Sequence, residues 1–197
     1  KDKILVFGGK QEGDEYSPSN KVFLIDFTDS FKPQIKELES MNFARSNGNA
    51  TILPDGNIFI NGGHSYNNDL EFSVFTPEIY NPNTQTTQEM SNSYFRRNYH
   101  ASSLLLPDGR VLTAGGDTWN AEIFYPPYFF TKDIDNETVL ADRPEIINIK
   151  ENIKRGETVS IEVNGEVSRV TLLSTGSTTH AQGSESKFRN VNFIKVT

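Results

Sequence analysis

The sequence contains no cysteine. No disulfide, thiolate metal site or cysteine nucleophile can therefore be built from its 197 residues. Histidine is scarce, with three copies. None belongs to an HxxxH or HxH pair, and no dense acidic cluster stands at metal-ligand spacing. Basic residues are outnumbered 19 to 26, which leaves a formal net charge of −7. That balance argues against a nucleic-acid partner, because phosphate backbones are gripped by clustered Lys and Arg. No apolar run approaches the roughly 18 or more residues that a membrane-spanning helix needs. The glycine pairs lie in neither a GxGxxG nor a GxxxxGK[ST] context, so no phosphate-cradling loop is expected. Long helical periodicity is also missing, and the chain reads as all-β.

What is present is a repeat. Residues 3–9 read KILVFGG, residues 57–63 NIFINGG and residues 110–116 RVLTAGG. The leading glycines, Gly8, Gly62 and Gly115, follow at intervals of 54 and 53 residues. Before the second and third copies stands the same turn, Leu53-Pro54-Asp55-Gly56 and Leu106-Pro107-Asp108-Gly109. Proline presets φ in such a turn and glycine takes the positive φ. A period near 50 with strands ending in Gly-Gly marks kelch-type β-propeller blades, each a four-stranded antiparallel sheet.

On this reading residues 49–53 and 103–106 are innermost strands, and the runs after the turns are second strands. Residues 21–27 (KVFLIDF), 74–80 (VFTPEIY) and 121–125 (AEIFY) are third strands. Residues 35–38 and 84–90 are outer strands. The count is most of one blade, one whole blade and three strands of a third. Propellers close with about 4 to 8 blades, so a covalent continuation with further blades is expected. The chain starts at Lys1 without a leader, which suits a processed or partial chain.

After the aromatic exit at 126–130 (PPYFF) the character changes. Residues 131–143 are polar and read as a linker. From Pro144 short strands return, at 145–149, 158–163, 167–174 and 188–196. Turn signals at Lys154-Arg155-Gly156, Asn164-Gly165 and Gly176-Ser177 separate them. This spacing suggests a β-sandwich, of which about half is present. Two glycosylation sequons, at Asn49 and Asn136, are short patterns of little weight.

Taken alone, the candidate chemical residues are ordinary. Tyr99-His100 borders an innermost strand, where neighbours point to opposite faces unless the chain bends. His180 sits in a loop between strands, and loop histidines are mostly solvated. His64 follows a glycine pair and is the weakest candidate of the three. Glu78 and Asp26 lie in strands and suit packing or hydrogen bonding.

Together, however, the residues resemble a known family. The series LPDG-apolar-GG, VFTPEIY (74–80), YHASSLLLPDGRVLTAGGD (99–117), AEIFYPPYFF (121–130) and RPEI through TTH (143–180) resembles the galactose oxidase and glyoxal oxidase group, the copper radical oxidases. The form AEIFYPPYFF is similar to the glyoxal-oxidase-like kelch proteins. The resemblance implies a seven-bladed propeller followed by an immunoglobulin-like, early-set β-sandwich. Residues 1–130 would then be the last propeller blades, 131–143 the linker, and 144–197 a truncated early-set domain.

The resemblance also implies a ligand set for one copper ion. Tyr99 and His100 match the family's YH motif, and His180 matches its TH motif on a sandwich loop that reaches into the propeller channel. The fourth ligand, a tyrosine cross-linked to a cysteine and carrying a radical, comes from earlier blades. Tyr99 would take the hydroxyl proton of a bound primary alcohol, carbohydrate or aldehyde hydrate, and dioxygen would be reduced to hydrogen peroxide. Two imidazoles and phenolate oxygens suit tetragonal Cu(II). After TH this chain reads AQGSESK, without the family's Gln-Arg pair. Leu70 stands where the galactose enzyme has an aromatic substrate-facing residue, with His64 and Tyr66 on the same loop.

The implied function is part of a secreted copper radical oxidase for small aldehydes or primary alcohols, inactive alone because the radical half of the site is missing. The alternative is a non-catalytic kelch and early-set module that binds a glycan or protein.

Overall fold

The structure, a computed structural model, describes residues 3–11, 14–29, 31–66, 70–174, 176–179, 182–184 and 186–196. The chain divides into two compact units. One comprises Lys1–Phe124 with Leu172–Arg189, the other Tyr125–Thr171 with Asn190–Thr197.

The first unit opens with β1 (Lys3–Phe7), the short hairpin of β2 (Lys10–Gln11) and β3 (Asp14–Pro18), then β4 (Val22–Asp26) and β5 (Gln34–Leu38). Strands β1, β4 and β5 form one antiparallel sheet in that order. The second sheet is a four-stranded antiparallel meander of β6 (Ser46–Ile52), β7 (Ile58–His64), β8 (Glu78–Asn81) and β9 (Thr86–Glu89). The third contains β10 (Ala101–Leu105), β11 (Val111–Gly115) and β12 (Ala121–Phe124). The all-β expectation and the count of three, four and three repeat strands are both met.

The Pro-Asp-Gly turns close alike. Leu53 N–H donates to the Asn57 carbonyl and Gly56 N–H to the Leu53 carbonyl, each at 2.9 Å. The second copy repeats this between Leu106, Gly109 and Arg110 at 2.8 and 2.9 Å. In both turns an aspartate accepts the amide two residues on, Asp55 from Asn57 and Asp108 from Arg110. This is the Asx-turn habit that suits aspartate to such positions.

Alternation along the strands gives each sheet one face for each neighbour. Val22, Met41, Ile58, Ile60 and Tyr80 form a buried cluster between the first two sheets, flanked by Leu5, Phe7, Leu38, Ala50 and Ile52. Each fully buried aliphatic side chain there contributes about 1.5–3 kcal/mol. Phe7 meets Tyr80 edge-on, with centroids 5.3 Å apart. The second and third sheets meet through the stacked pair Phe59–Phe124 at 4.2 Å, and the Thr51 hydroxyl donates to Ser103 Oγ at 2.9 Å. Asn49, in the first sequon, is buried in β6.

Several expected strands are shorter than read, among them 167–174, of which Val170–Leu173 forms a strand, and 188–196, of which Phe188–Val191 does. Of residues 74–80, only Glu78 onward pairs, because Pro77 has no amide to give a ladder. Of residues 158–163, pairing begins at Ile161.

Further along, β13 (Phe130–Lys132) and β14 (Thr138–Leu140) form a hairpin within the stretch read as a linker. Asp133 Oδ1 closes it by accepting the amides of Asp135 and Glu137 at 3.0 and 2.8 Å. Next come β15 (Glu145–Ile149) and β16 (Ile161–Asn164), paired through a bulge. The remaining strands are β17 (Val170–Leu173), β18 (Ser177–Thr179), β19 (Gln182–Ser184) and β20 (Phe188–Val191). β17 pairs with β20, and β18 with β19.

Candidate functional site

The Tyr99–His100 pair stands on a turn. The Asn98 carbonyl accepts the Ala101 amide at 2.9 Å, and His100 holds a left-handed φ of +62° before β10 begins. The bend removes the strand alternation that would send the two side chains apart. Their rings stack instead, with centroids 3.9 Å apart and planes at 29°. Both residues are exposed. A phenol and an imidazole are thus presented side by side to solvent.

His180 lies outside the described residues. The strands on either side of it are described. In the first unit, β18 lies against β10 and β19 against β6, the two innermost repeat strands. At the base of this arm Phe188 packs on the Gly56 turn, where an added Cβ would stand 2.9 Å from its ring.

His64 is fully buried. The Ser46 hydroxyl lies 3.1 Å from its Nδ1. Burial, and secondarily the charge of Lys10, hold its pKa below the ordinary value. It is a packed residue. Leu70 is exposed in a single 3-10 turn, Leu70–Phe72, and Phe72 stacks edge-on with Tyr66 at 5.1 Å.

Sequence reading missed the device that holds the Tyr99–His100 turn. Arg97 is buried just before it. Its guanidinium donates to the Gly115 carbonyl at 3.2 Å, to Thr118 Oγ1, and to Glu122 Oε2 at 3.1 Å. The backbone carbonyl of Arg97 accepts the Gly63 amide at 2.7 Å. Beside it, Asn98 Nδ2 donates to Ser73 Oγ at 2.8 Å.

The second sheet contains a counterpart. Arg45 donates to Glu78 Oε2 at 2.7 Å and to the Gly62 carbonyl at 2.9 Å, and its carbonyl accepts the Gly9 amide at 2.8 Å. Burial pulls the pKa of both guanidiniums down and the paired carboxylate opposes it. Both stay cationic, as arginine does in proteins. The signal for this device was the pair Phe43-x-Arg45 and Phe95-x-Arg97, 52 residues apart.

Among the described residues, no group of three or more His, Cys, Asp or Glu could hold a metal ion. The stacked phenol and imidazole present one oxygen and one nitrogen donor to solvent on one turn.

The glyoxal oxidase N-terminus family model matches residues 1–137. A galactose oxidase of Gibberella zeae is 31% identical over 95% of this chain and 29% of its own length. The aldehyde oxidase GLOX of Vitis pseudoreticulata is 30% identical over 74% of this chain and 31% of its own. The chain therefore spans under a third of the length of these relatives. A solved structure of a fungal alcohol oxidase of the AA5 family, in complex with copper, superposes with a TM-score of 0.82 at 21% identity. It covers 96% of this chain and 42% of that one, which establishes a common fold.

Proposed function

The chain belongs to the galactose oxidase and glyoxal oxidase family, and from that premise we propose that it carries part of a copper site for oxidising small aldehydes or primary alcohols. The observation that carries the reading is the stacked Tyr99–His100 pair, two copper-compatible donors on a turn open to solvent. His100 and His180 would hold the metal through imidazole nitrogens, and Tyr99 through its phenol oxygen. Copper, when bound, supplies a Lewis acid and a one-electron redox centre for oxidation by dioxygen. Tyr99 Oη is the base in this scheme, receiving the substrate hydroxyl proton.

The same proposal takes residues 1–130 as kelch-type blades, 131–143 as the joining segment and 144–197 as an early-set domain. It also takes the parent protein as extracellular. The sequence has no cysteine, so a cross-linked tyrosine–cysteine radical cannot form within it. We expect the chain alone to release no peroxide from methylglyoxal or galactose.

The test is Cu(II) titration of the purified chain, followed by electron paramagnetic resonance. A tetragonal Cu(II) signal that is lost in the double variant His100→Ala, His180→Ala is the expected result. The same signal and affinity in that variant would overturn the assignment. Tyr99→Phe should remove any phenolate-to-copper absorption while copper still binds.

A further inference from the structure

We propose that the Arg97–Glu122 ion pair is a positioning device that holds His100 in its left-handed conformation and thus stacks the Tyr99–His100 pair. The inference deepens the copper reading and rests on it for its functional meaning, but its geometry stands on the chain alone.

The chain holds two copies of one scaffold. In the second sheet, Glu78 Oε1 accepts the amide of Asn42, three residues before Arg45, at 2.7 Å. In the third, Glu122 Oε1 accepts the amide of Tyr94, three residues before Arg97, at 2.7 Å. The other carboxylate oxygen takes the guanidinium in both cases. Each guanidinium lies over the phenylalanine two residues before it, Phe43 at 5.7 Å and Phe95 at 5.8 Å. Each also donates to the carbonyl of the first glycine of its own pair, and each arginine carbonyl takes the second glycine's amide from the preceding sheet.

Downstream of each arginine one residue turns left-handed, two positions on in the second sheet and three in the third, so the third sheet holds one residue more between clasp and turn. Asn47 has φ +58° and His100 φ +62°, 53 residues apart. Asparagine enters this region readily. For histidine the local side-chain help is weaker, and the conformation is a strained one. Strained residues of this kind persist only where their surroundings over-determine them. The surroundings of His100 are tight. A Cβ on Gly115 would stand 2.8 Å from the His100 carbonyl oxygen, and one on Gly116 2.8 Å from the Asn98 amide nitrogen. The arginine clasp draws these glycines and the turn together. One scaffold therefore presents Ser46 and Asn47 in one sheet and the Tyr99–His100 pair in the next.

The experiment follows the His100 ring protons by NMR in the metal-free chain, assigned by substitution among the three histidines, and measures Cu(II) affinity in parallel. In the wild type, stacking on Tyr99 shifts the His100 signals upfield. Arg97→Met should return them toward free-imidazole positions and weaken Cu(II) binding about tenfold or more, the range seen when groups that orient a ligand are lost. Arg97→Lys keeps the charge on an unbranched donor. It cannot span Gly115, Thr118 and Glu122 at once, so it should move the signals the same way. Arg45→Met should lower stability and leave the His100 signals in place. Unmoved His100 signals in both Arg97 variants, or an equal shift in Arg45→Met, would overturn the proposal. If the NMR arms behave as expected but copper binds independently of His100, the copper reading falls and the positioning role stands.

Discussion

A Cβ built on Gly62 would stand 2.0 Å from the carbonyl oxygen of Arg97. Gly62 also holds φ +67°, a region closed to most side chains. The first glycine of the pair is thus needed twice, for its backbone angle and for the approach of the next sheet. Gly9, the second glycine of the first pair, has φ +100° and no atom within 4 Å of an added Cβ. Gly62→Ala should therefore destabilise by at least about 2 kcal/mol, and Gly9→Ala by about 1 kcal/mol from backbone strain alone. Urea unfolding midpoints of the two variants measure the difference. Equal midpoints would remove the close approach as the reason for the pair.

The Arg45–Glu78 pair is buried on both sides, with side chains 2% and 0% exposed. Removing one partner strands a charge away from water. Glu78→Gln should cost about 3–5 kcal/mol, and the double variant Arg45→Met, Glu78→Leu should recover only the part due to stranded charge, since the Asn42 amide and the Gly62 and Thr76 carbonyls lose these partners. The exposed pair Lys21–Glu37 should contribute nothing measurable when Lys21 becomes Ala. Thermal unfolding of the three variants ranks them. A double variant no more stable than Glu78→Gln would show that the pair is needed for more than charge compensation.

These predictions rest on contacts with uneven traces in the sequence. The hairpins β6–β7 and β10–β11 were legible because Pro-Asp-Gly fixes a turn locally and the repeat at 53 residues supplies a second copy. The Arg45–Glu78 and Arg97–Glu122 clasps join residues 33 and 25 apart. No local period signals such a distance. Only aligning one repeat on the next would have exposed them. The stacking of Tyr99 on His100 was legible as a condition, since it required a bend, but the bend depends on a positive φ at a residue that rarely takes one. Strands β18 and β19 went unread because two runs of three residues have too little alternation to stand out.

The packing of Phe188 on the Gly56 turn predicts what holds the β18–β19 arm in place. Both residues belong to the first unit, and the Phe188 ring is half-buried. Phe188→Ala should cost about 1–2 kcal/mol of buried apolar contact. The loss should be local, so limited proteolysis should cut between residues 172 and 189 sooner than in the wild type, while the repeat sheets stay resistant. Unchanged cleavage in that segment would count against Phe188 as the anchor.

The buried His64 makes stability depend on pH in a definite direction. Burial first, and then the charge of Lys10, hold its pKa below the ordinary 6.5. The unfolded chain therefore binds a proton at this position more readily than the folded one, and stability rises with pH wherever that holds. The contribution is fully present above 6.5 and is lost as pH falls from there toward the lowered folded value. Asp26, Glu157 and Glu166 are also held low by hydrogen bonds and nearby lysines, but their ordinary values are 3.8 and 4.5. Their losses come at lower pH, so the two effects separate. The urea midpoint should fall between about pH 7 and pH 5 in the wild type and stay nearly level in His64→Gln over that window. The variant keeps an amide to meet the Ser46 hydroxyl, so a slope that survives in it would have to come from another group.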